Sequence, residues 1–265
     1  MKKNLTAILT AAIISGAFTV TASADTASIN VYVTISDGNG RLVLTDKAVE
    51  VTDINGDGVF NIDEALFAAH EQNFPAGDTE GYYAYDSDYG RSLGMLWGDE
   101  NGSYGYYVNN ASAMSLGDEV KNGDYINAFC YTDLTTWSDT YCFFDTHTTE
   151  GNEFTLTLSA AGWDENYNPV TLPVEGAVIT VDGEKTDYVT DAEGKVTVTI
   201  DEAGSYVISA VSDTQILVPP VCIAEVAEAD AGTSEASPSN PSTGVSLSFA
   251  AVASAGAAFI SRKRK

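Results

Sequence analysis

Basic residues are scarce: 12 Lys and Arg stand against 38 Asp and Glu, a formal net charge of −26. A surface of that sign repels phosphate backbones and anionic headgroups, so nucleic acid and anionic membrane surfaces are poor partners, since both need a basic footprint. Histidine is rarer still. His70 and His147 are the only two and neither sits at a metal-ligand spacing; His70 reads as lying on the polar side of a helix, His147 in a Thr-rich linker, and both read as solvated. The G-x-S-x-G, H-E-x-x-H, P-loop and dinucleotide fingerprints are missing, so the expectation is a protein that is not an enzyme. Three cysteines remain. Cys130 and Cys142 flank what reads as a hairpin around Thr135 to Ser138, where a bridge and two free thiols are both open. Cys222 reads as a small buried hydrophobe.

What the chain does have is a concentrated oxygen-ligand pattern. Residues 53–64 read D-I-N-G-D-G-V-F-N-I-D-E. A calcium loop of the EF-hand kind takes its oxygens from positions 1, 3, 5, 7, 9 and 12 and needs glycine at position 6 for the sharp turn. Those positions are Asp53, Asn55, Asp57, Val59, Asn61 and Glu64, with Gly58 at the turn. Val59 would contribute its carbonyl, Asn61 would act through a water and Glu64 would supply two oxygens, so Ca2+ is the expected cofactor. Before the loop, Val49 and Val51 alternate with polar residues and predict a strand. After it, Ile62, Ala65, Leu66 and Ala69 share one face of a helix that Pro75 and Gly77 bring to a stop. Strand, loop, helix, with the D-x-N-x-D-G-x-x-N core, resembles the single calcium repeat of dockerin modules.

Both ends of the chain carry export signals. Met1 to Asn4 are basic or polar, Leu5 to about Thr21 are apolar and small, and Ala22-Ser23-Ala24 forms an A-x-A site, so residues 1–24 are expected to be a secretory signal peptide. Residues 227–239 are a Ser/Glu/Ala/Pro-rich linker, followed over 240–265 by Asn240-Pro241-Ser242-Thr243-Gly244, an apolar stretch and Arg262-Lys263-Arg264-Lys265. That tripartite tail resembles the sorting signals of Gram-positive surface proteins. The resemblance implies sortase and peptidoglycan as partners, cleavage between Thr243 and Gly244, transient membrane contact through the apolar segment, and a secreted protein held in the cell wall at the cell surface. Loss of both ends takes six of the 12 basic residues and none of the 38 acidic ones, leaving a net charge of −32.

The middle reads as an α+β arrangement: residues 25–146 as a small domain with one helix and the calcium loop, and residues 153–226 as an all-β sandwich. In the first, Ile29, Val31, Val33 and Ile35 alternate as an opening strand. The stretches Gly105-Tyr106-Tyr107-Val108-Asn109-Asn110 and Asn122-Gly123-Asp124-Tyr125-Ile126 resemble the transcobalamin-like C-terminal domain of bacterial surface proteins, which implies a β-grasp-like fold of strands wrapped on one helix. In the second, Phe154–Leu158, Ala177–Val181, Lys195–Ile200 and Ser205–Val211 are separated by Asp182-Gly183, Glu193-Gly194 and Ala203-Gly204 turns. P-V-E-G-A-V-I-T-V with T-D-A-E-G-K resembles transthyretin-like and pilin-type repeats of surface stalks, a spacer role. The expected function is a calcium-binding, wall-anchored surface protein with a binding or adhesion role. The alternative is a ligand-capture protein that takes a glycan or a corrinoid on the aromatic-rich interval Tyr82 to Tyr141; glycan or protein ligands are the partners weighed for that surface.

Overall fold

A computed structural model of the chain describes residues 28–75, 79–166 and 168–228. The expected signal peptide 1–24, most of the expected linker 227–239, and the expected sorting signal with Asn240, Pro241, Ser242, Thr243 and Gly244 lie outside the described residues.

The described chain is mostly β-sheet, with a single short α-helix among the described residues. In the first half, β1 (Ser28–Ser36) and β2 (Leu42–Thr52) form an antiparallel hairpin, and helix α1 (Ile62–Asn73) follows the loop. A two-stranded ribbon comes next, β3 (Tyr82–Ser87) with β4 (Gly90–Leu96), then β5 (Tyr104–Val108), β6 (Ala111–Ser112) and β7 (Tyr125–Cys130). The main sheet runs β2-β1-β7-β5-β6. Its centre is the parallel β1–β7 pair, in which Tyr32 lies opposite Tyr125 and Ser36 opposite Phe129. Period-two alternation puts Val31, Val33 and Ile35 of β1 on the covered face, where all three are fully buried. α1 packs on that face against β1 and β2. The predicted helical face is the buried one: Ile62, Ala65, Leu66 and Ala69 are all at 0 % exposure. Each large aliphatic side chain so buried contributes about 1.5–3 kcal/mol.

The second half is a sandwich. One sheet holds β8 (Thr140–Phe144), β10 (Glu153–Trp163), β11 (Pro169–Pro173) and β16 (Leu217–Val218), in the order β11-β10-β8-β16, with β14 (Lys195–Thr199) joined to the first part of β10. The other runs β13-β12-β15-β17-β9, from β12 (Val178–Val181), β13 (Glu184–Val189), β15 (Gly204–Val211), β17 (Cys222–Val226) and β9 (Thr148–Glu150). Leu156, Leu158, Val196 and Val198 from the first share one core with Ile179, Ile208, Ala210 and Ala224 from the second. The β12–β13 turn is made by Asp182 (φ 50°) and Gly183 (φ 84°), both left-handed as a two-residue hairpin turn requires.

Two features depart from the sequence reading. Thr135 to Ser138 do not close a hairpin: β7 bonds to β1 and β5, whereas β8, inside the range 25–146, bonds to β10 and β16 of the second half. The connection is instead organised by Asp133, whose carboxylate accepts from Thr135, Thr136 and Ser138 and is thereby held well below the usual carboxylate range. Cys130 and Cys142 accordingly lie in two different cores, and all three cysteines are free and buried. Burial pushes the Cys130 and Cys222 thiols up to about 12, which makes them inert at neutral pH. A third, small hydrophobic cluster joins Phe129 of β7 to Tyr141 of β8 and Val218 of β16, with Tyr107 stacked on Tyr141 at 3.6 Å.

Candidate calcium loop and the adjoining groove

The loop is folded by its own side chains. Asp53 accepts from the amides of Gly56 (2.7 Å) and Asp57 (3.2 Å) on one oxygen and of Gly58 (2.8 Å) on the other. Asn55 Oδ1 accepts from Asp57 N (2.8 Å), and Asp57 Oδ1 from Val59 N (2.8 Å). These short-range bonds are the ones Asp and Asn make in tight turns. They bend the chain so that Gly56 and Gly58 take φ of 74° and 84°, which glycine adopts without steric cost.

Glu64 closes the loop on the helix. It is 4 % exposed. Its Oε1 accepts from Ile54 N (2.8 Å) and Asn55 N (3.4 Å), and its Oε2 from Asn61 N (3.3 Å). Asn61 returns the bond, Oδ1 accepting from Glu64 N at 3.0 Å, so the two form a capping box at the α1 N-terminus. Where the sequence suggested a water-mediated ligand, the Asn61 side chain serves as the helix cap. The far edge of the loop is pinned by residues 116–120: Val120 N donates to Phe60 O (2.9 Å), Ile62 N to Asp118 O (3.2 Å) and Asp63 N to Leu116 O (2.8 Å). Asp53, Asn55, Asp57, Asn61 and Glu64 thus belong to one hydrogen-bonded unit. Among the described residues no three His, Cys, Asp or Glu side chains already converge as a metal-holding group.

Beside the loop, a groove of about 390 Å3 runs between Ile54, Asn55 and Glu64 on one wall and the β3–β4 ribbon on the other. Asp63, at the start of α1, receives Arg91 Nε at 2.8 Å and the Tyr82 hydroxyl, while Arg91 Nη1 reaches Asp86 at 3.3 Å. Burial and the neighbouring Asp63 carboxylate both push the Tyr82 phenol upward, so it stays a hydroxyl. Tyr83 lies across Gly94, where any Cβ would fall among the ring carbons, and is 56 % exposed; Tyr85 stacks beside it, centroids 6.1 Å apart. The sequence reading did not single out Asp63 or Arg91. A signal existed, because Arg91 is one of the few cations in a chain of strongly negative charge.

His70 is not solvated. It is fully buried on α1, with Nδ1 donating to Leu66 O (2.6 Å) and Nε2 accepting from Trp97 N (3.0 Å), ringed by Tyr82, Trp97 and Phe74. The helix buries its second side because the ribbon covers it. His147 is half-buried and stacks on Tyr125 at 3.5 Å.

No protein-family model matches this sequence, and no curated protein matches it. Among solved structures, the chain is similar to the N-terminal four Ig domains of Dscam1 isoform 7.44, at a TM-score of 0.22 and 11 % identity, over 76 % of this chain and 46 % of that one. It is similar to the same region of isoform 4.44 at a TM-score of 0.22 and 10 % identity, with the same coverage. The chain therefore spans less than half the length of those structures, and a likeness at this TM-score carries no argument about ligand or partner.

Proposed function

We propose that this chain is a calcium-binding, non-enzymatic surface protein, exported and joined to the cell wall through its C-terminal sorting signal, with the first half as the binding module and the sandwich as its spacer. The observation that carries the reading is the loop of residues 53–64. Hard cations prefer many oxygens, and the donors here are carboxylates, amides and a carbonyl at the required steps, on a backbone already bent by Gly56 and Gly58. The residues fit the ion: Asp53, Asn55, Asp57, the Val59 carbonyl and Glu64 would hold it, each carboxylate oxygen keeping acceptor capacity beyond the amide bonds it makes. Bound calcium would supply charge neutralisation among these carboxylates and a rigid start for α1. The chain's own part is to present the oxygens and, through Glu64, to transmit loop order to the helix cap. The order β2-β1-β7-β5-β6, with a parallel centre and one helix on one face, supports the β-grasp-like assignment of the first half.

Titration calorimetry of the full chain is expected to give one calcium per chain, lost in Asp53→Ala; no heat with the wild type would overturn the calcium reading. The anchor is tested separately. Thr243→Ala is expected to leave the protein membrane-bound or shed, whereas peptidoglycan digestion releases the wild type as wall-linked fragments; identical wall-linked fragments from both would contradict sorting.

A further inference from the structure

We infer that the cavity where the β1–β2 turn meets the outer face of β12 and β15 binds an aliphatic primary amine, its ammonium on Asp182 and its chain against Leu42, Val207 and Val211. None of its walls comes from the calcium loop, so neither reading rests on the other.

Strand alternation builds the floor. In an antiparallel pair, directly opposed residues share a face. Thr180 stands opposite Ser209 and Val178 opposite Val211. Asp182 extends the row, its amide donating to Val207 O and its Oδ1 accepting from Val207 N, each at 2.9 Å. Ile179, Ile208 and Ala210 take the other face and fill the sandwich core. A strand face turned away from its core is ordinarily wet, yet Thr180 is 4 % exposed and Ser209 6 %. Gly40, Leu42 and Thr45 of the first half share with them a cavity of about 530 Å3, within the range of roughly 300–1,000 Å3 typical of small-molecule sites.

Three features define the ligand. First, the hydroxyls of Thr180 and Ser209 have no hydrogen-bond partner among the described residues, and neither oxygen is sealed from solvent. Buried polar side chains are ordinarily paired, so two adjacent open hydroxyls are acceptors held for a ligand's polar group. Second, the charge on the wall is unbalanced. Arg41 is held by Asp37 through Nε at 2.9 Å and Nη2 at 2.6 Å, whereas Asp182 makes no ion pair among the described residues and its Oδ2 is unengaged. Lys185, opposite Thr180 on β13, is paired with Asp213 at 3.6 Å and does not line the cavity. An ammonium has three N–H donors and no acceptor, the complement of a free carboxylate oxygen beside two hydroxyls. It also enters with the field of a chain of net charge −26. Third, the remaining walls are aliphatic, Leu42, Val207, Val211, Leu217 and Pro219, with no aromatic ring among the described lining residues. They suit an alkyl chain and offer no platform for a flat base or sugar ring.

The test titrates the full chain with n-hexylamine, hexan-1-ol, hexanoate and ethylamine at neutral pH and about 0.15 M salt, which screens diffuse attraction to the acidic surface. Calorimetry and methyl NMR are the readouts. Hexylamine is expected to bind at a single site, tighter than the other three by about tenfold or more, and to shift the methyls of Leu42, Val207 and Val211. Asp182→Asn keeps the turn, since Asn tolerates the left-handed conformation and its Oδ1 can still accept from Val207 N; it should weaken hexylamine by about tenfold or more. Ser209→Leu, which fills the cavity from its floor, should abolish binding, and Asp182→Asn carries the test if that variant does not fold. Asp187→Asn, exposed on β13, should leave binding unchanged. Nα-acetyl-lysine methylamide separates two sources of the same chemistry: tighter than hexylamine where the amine belongs to a peptide lysine, weaker where it is free, and supporting the inference either way. No binding of hexylamine, binding no tighter than that of hexanol or hexanoate, methyl shifts confined to other residues, or equal losses in Asp182→Asn and Asp187→Asn would each overturn it.

Discussion

Acidification from pH 6.5 towards pH 4 is expected to withdraw roughly 3 kcal/mol of stability that His70 contributes near neutrality. Burial pushes the imidazole down from 6.5 to about 4, outweighing the upward influence of the hydrogen bond to Leu66 O. Between those two values the unfolded chain binds a proton at His70 and the folded chain does not, so stability falls as pH falls through that window. The structural reason is specific. Nε2 is an acceptor, taking the Trp97 amide at 3.0 Å, and Trp97 itself sits at φ 51°, an uncommon conformation for a non-glycine residue that costs of order 1–3 kcal/mol unless its surroundings hold it. A proton on Nε2 removes that acceptor and leaves a cation among Tyr82, Trp97 and Phe74.

Asp46 works in the opposite sense. Burial raises it from 3.8 to about 6, so its folded form gains protons first and is relieved on acidification. Denaturant unfolding of wild type and His70→Gln from pH 7 to pH 4, where Asp46 is common to both, should show the wild-type advantage shrinking by roughly 3 kcal/mol across the window. A difference that stays flat with pH would mean that His70 is accessible to protons in the folded state.

The reach of the sequence can be judged residue by residue. The bend after β2 and the helix were legible because their determinants are local: Asp, Asn and Gly crowded into residues 53–58, and a four-residue apolar face that predicts the helix; the Asn61–Glu64 capping box was not read, because both residues were taken as ligands. The opening strand and the four strands read in the second half were equally local, being period-two patterns bounded by turns. Pairing was not. Nothing in Tyr125 to Cys130 announces that it inserts parallel to β1, more than 90 residues earlier, or that Thr140–Phe144 leaves the first sheet for the second. The cysteine hairpin went wrong for that reason. His70 was misread because a helix wheel takes one apolar face for granted, whereas the ribbon gives α1 a second covered side through Tyr82 and Trp97. The groove was invisible because Arg91 and Asp63 are 28 residues apart in sequence and meet only in the fold.

Calcium is expected to raise the stability of the half that carries the loop. With a dissociation constant of about 10 µM and calcium near 1 mM, the ratio of about 100 gives roughly 2.7 kcal/mol by linkage; for a chain of this size that moves the melting temperature by about 5–10 °C. Magnesium should do less, since its tight octahedral shell resists a wide oxygen cage. Glu64→Gln tests the ligand set most sharply. Its amide oxygen can keep part of the pinning of Ile54, Asn55 and Asn61, so the chelated protein loses only about 1 kcal/mol, but the bidentate carboxylate is gone. The decisive measurement is the melting temperature of the full chain, wild type and Glu64→Gln, in 1 mM calcium and in chelator at low salt and neutral pH. The account predicts an increment of about 5–10 °C in the wild type and little or none in Glu64→Gln; a wild-type melting temperature that is the same with calcium and with chelator would contradict it.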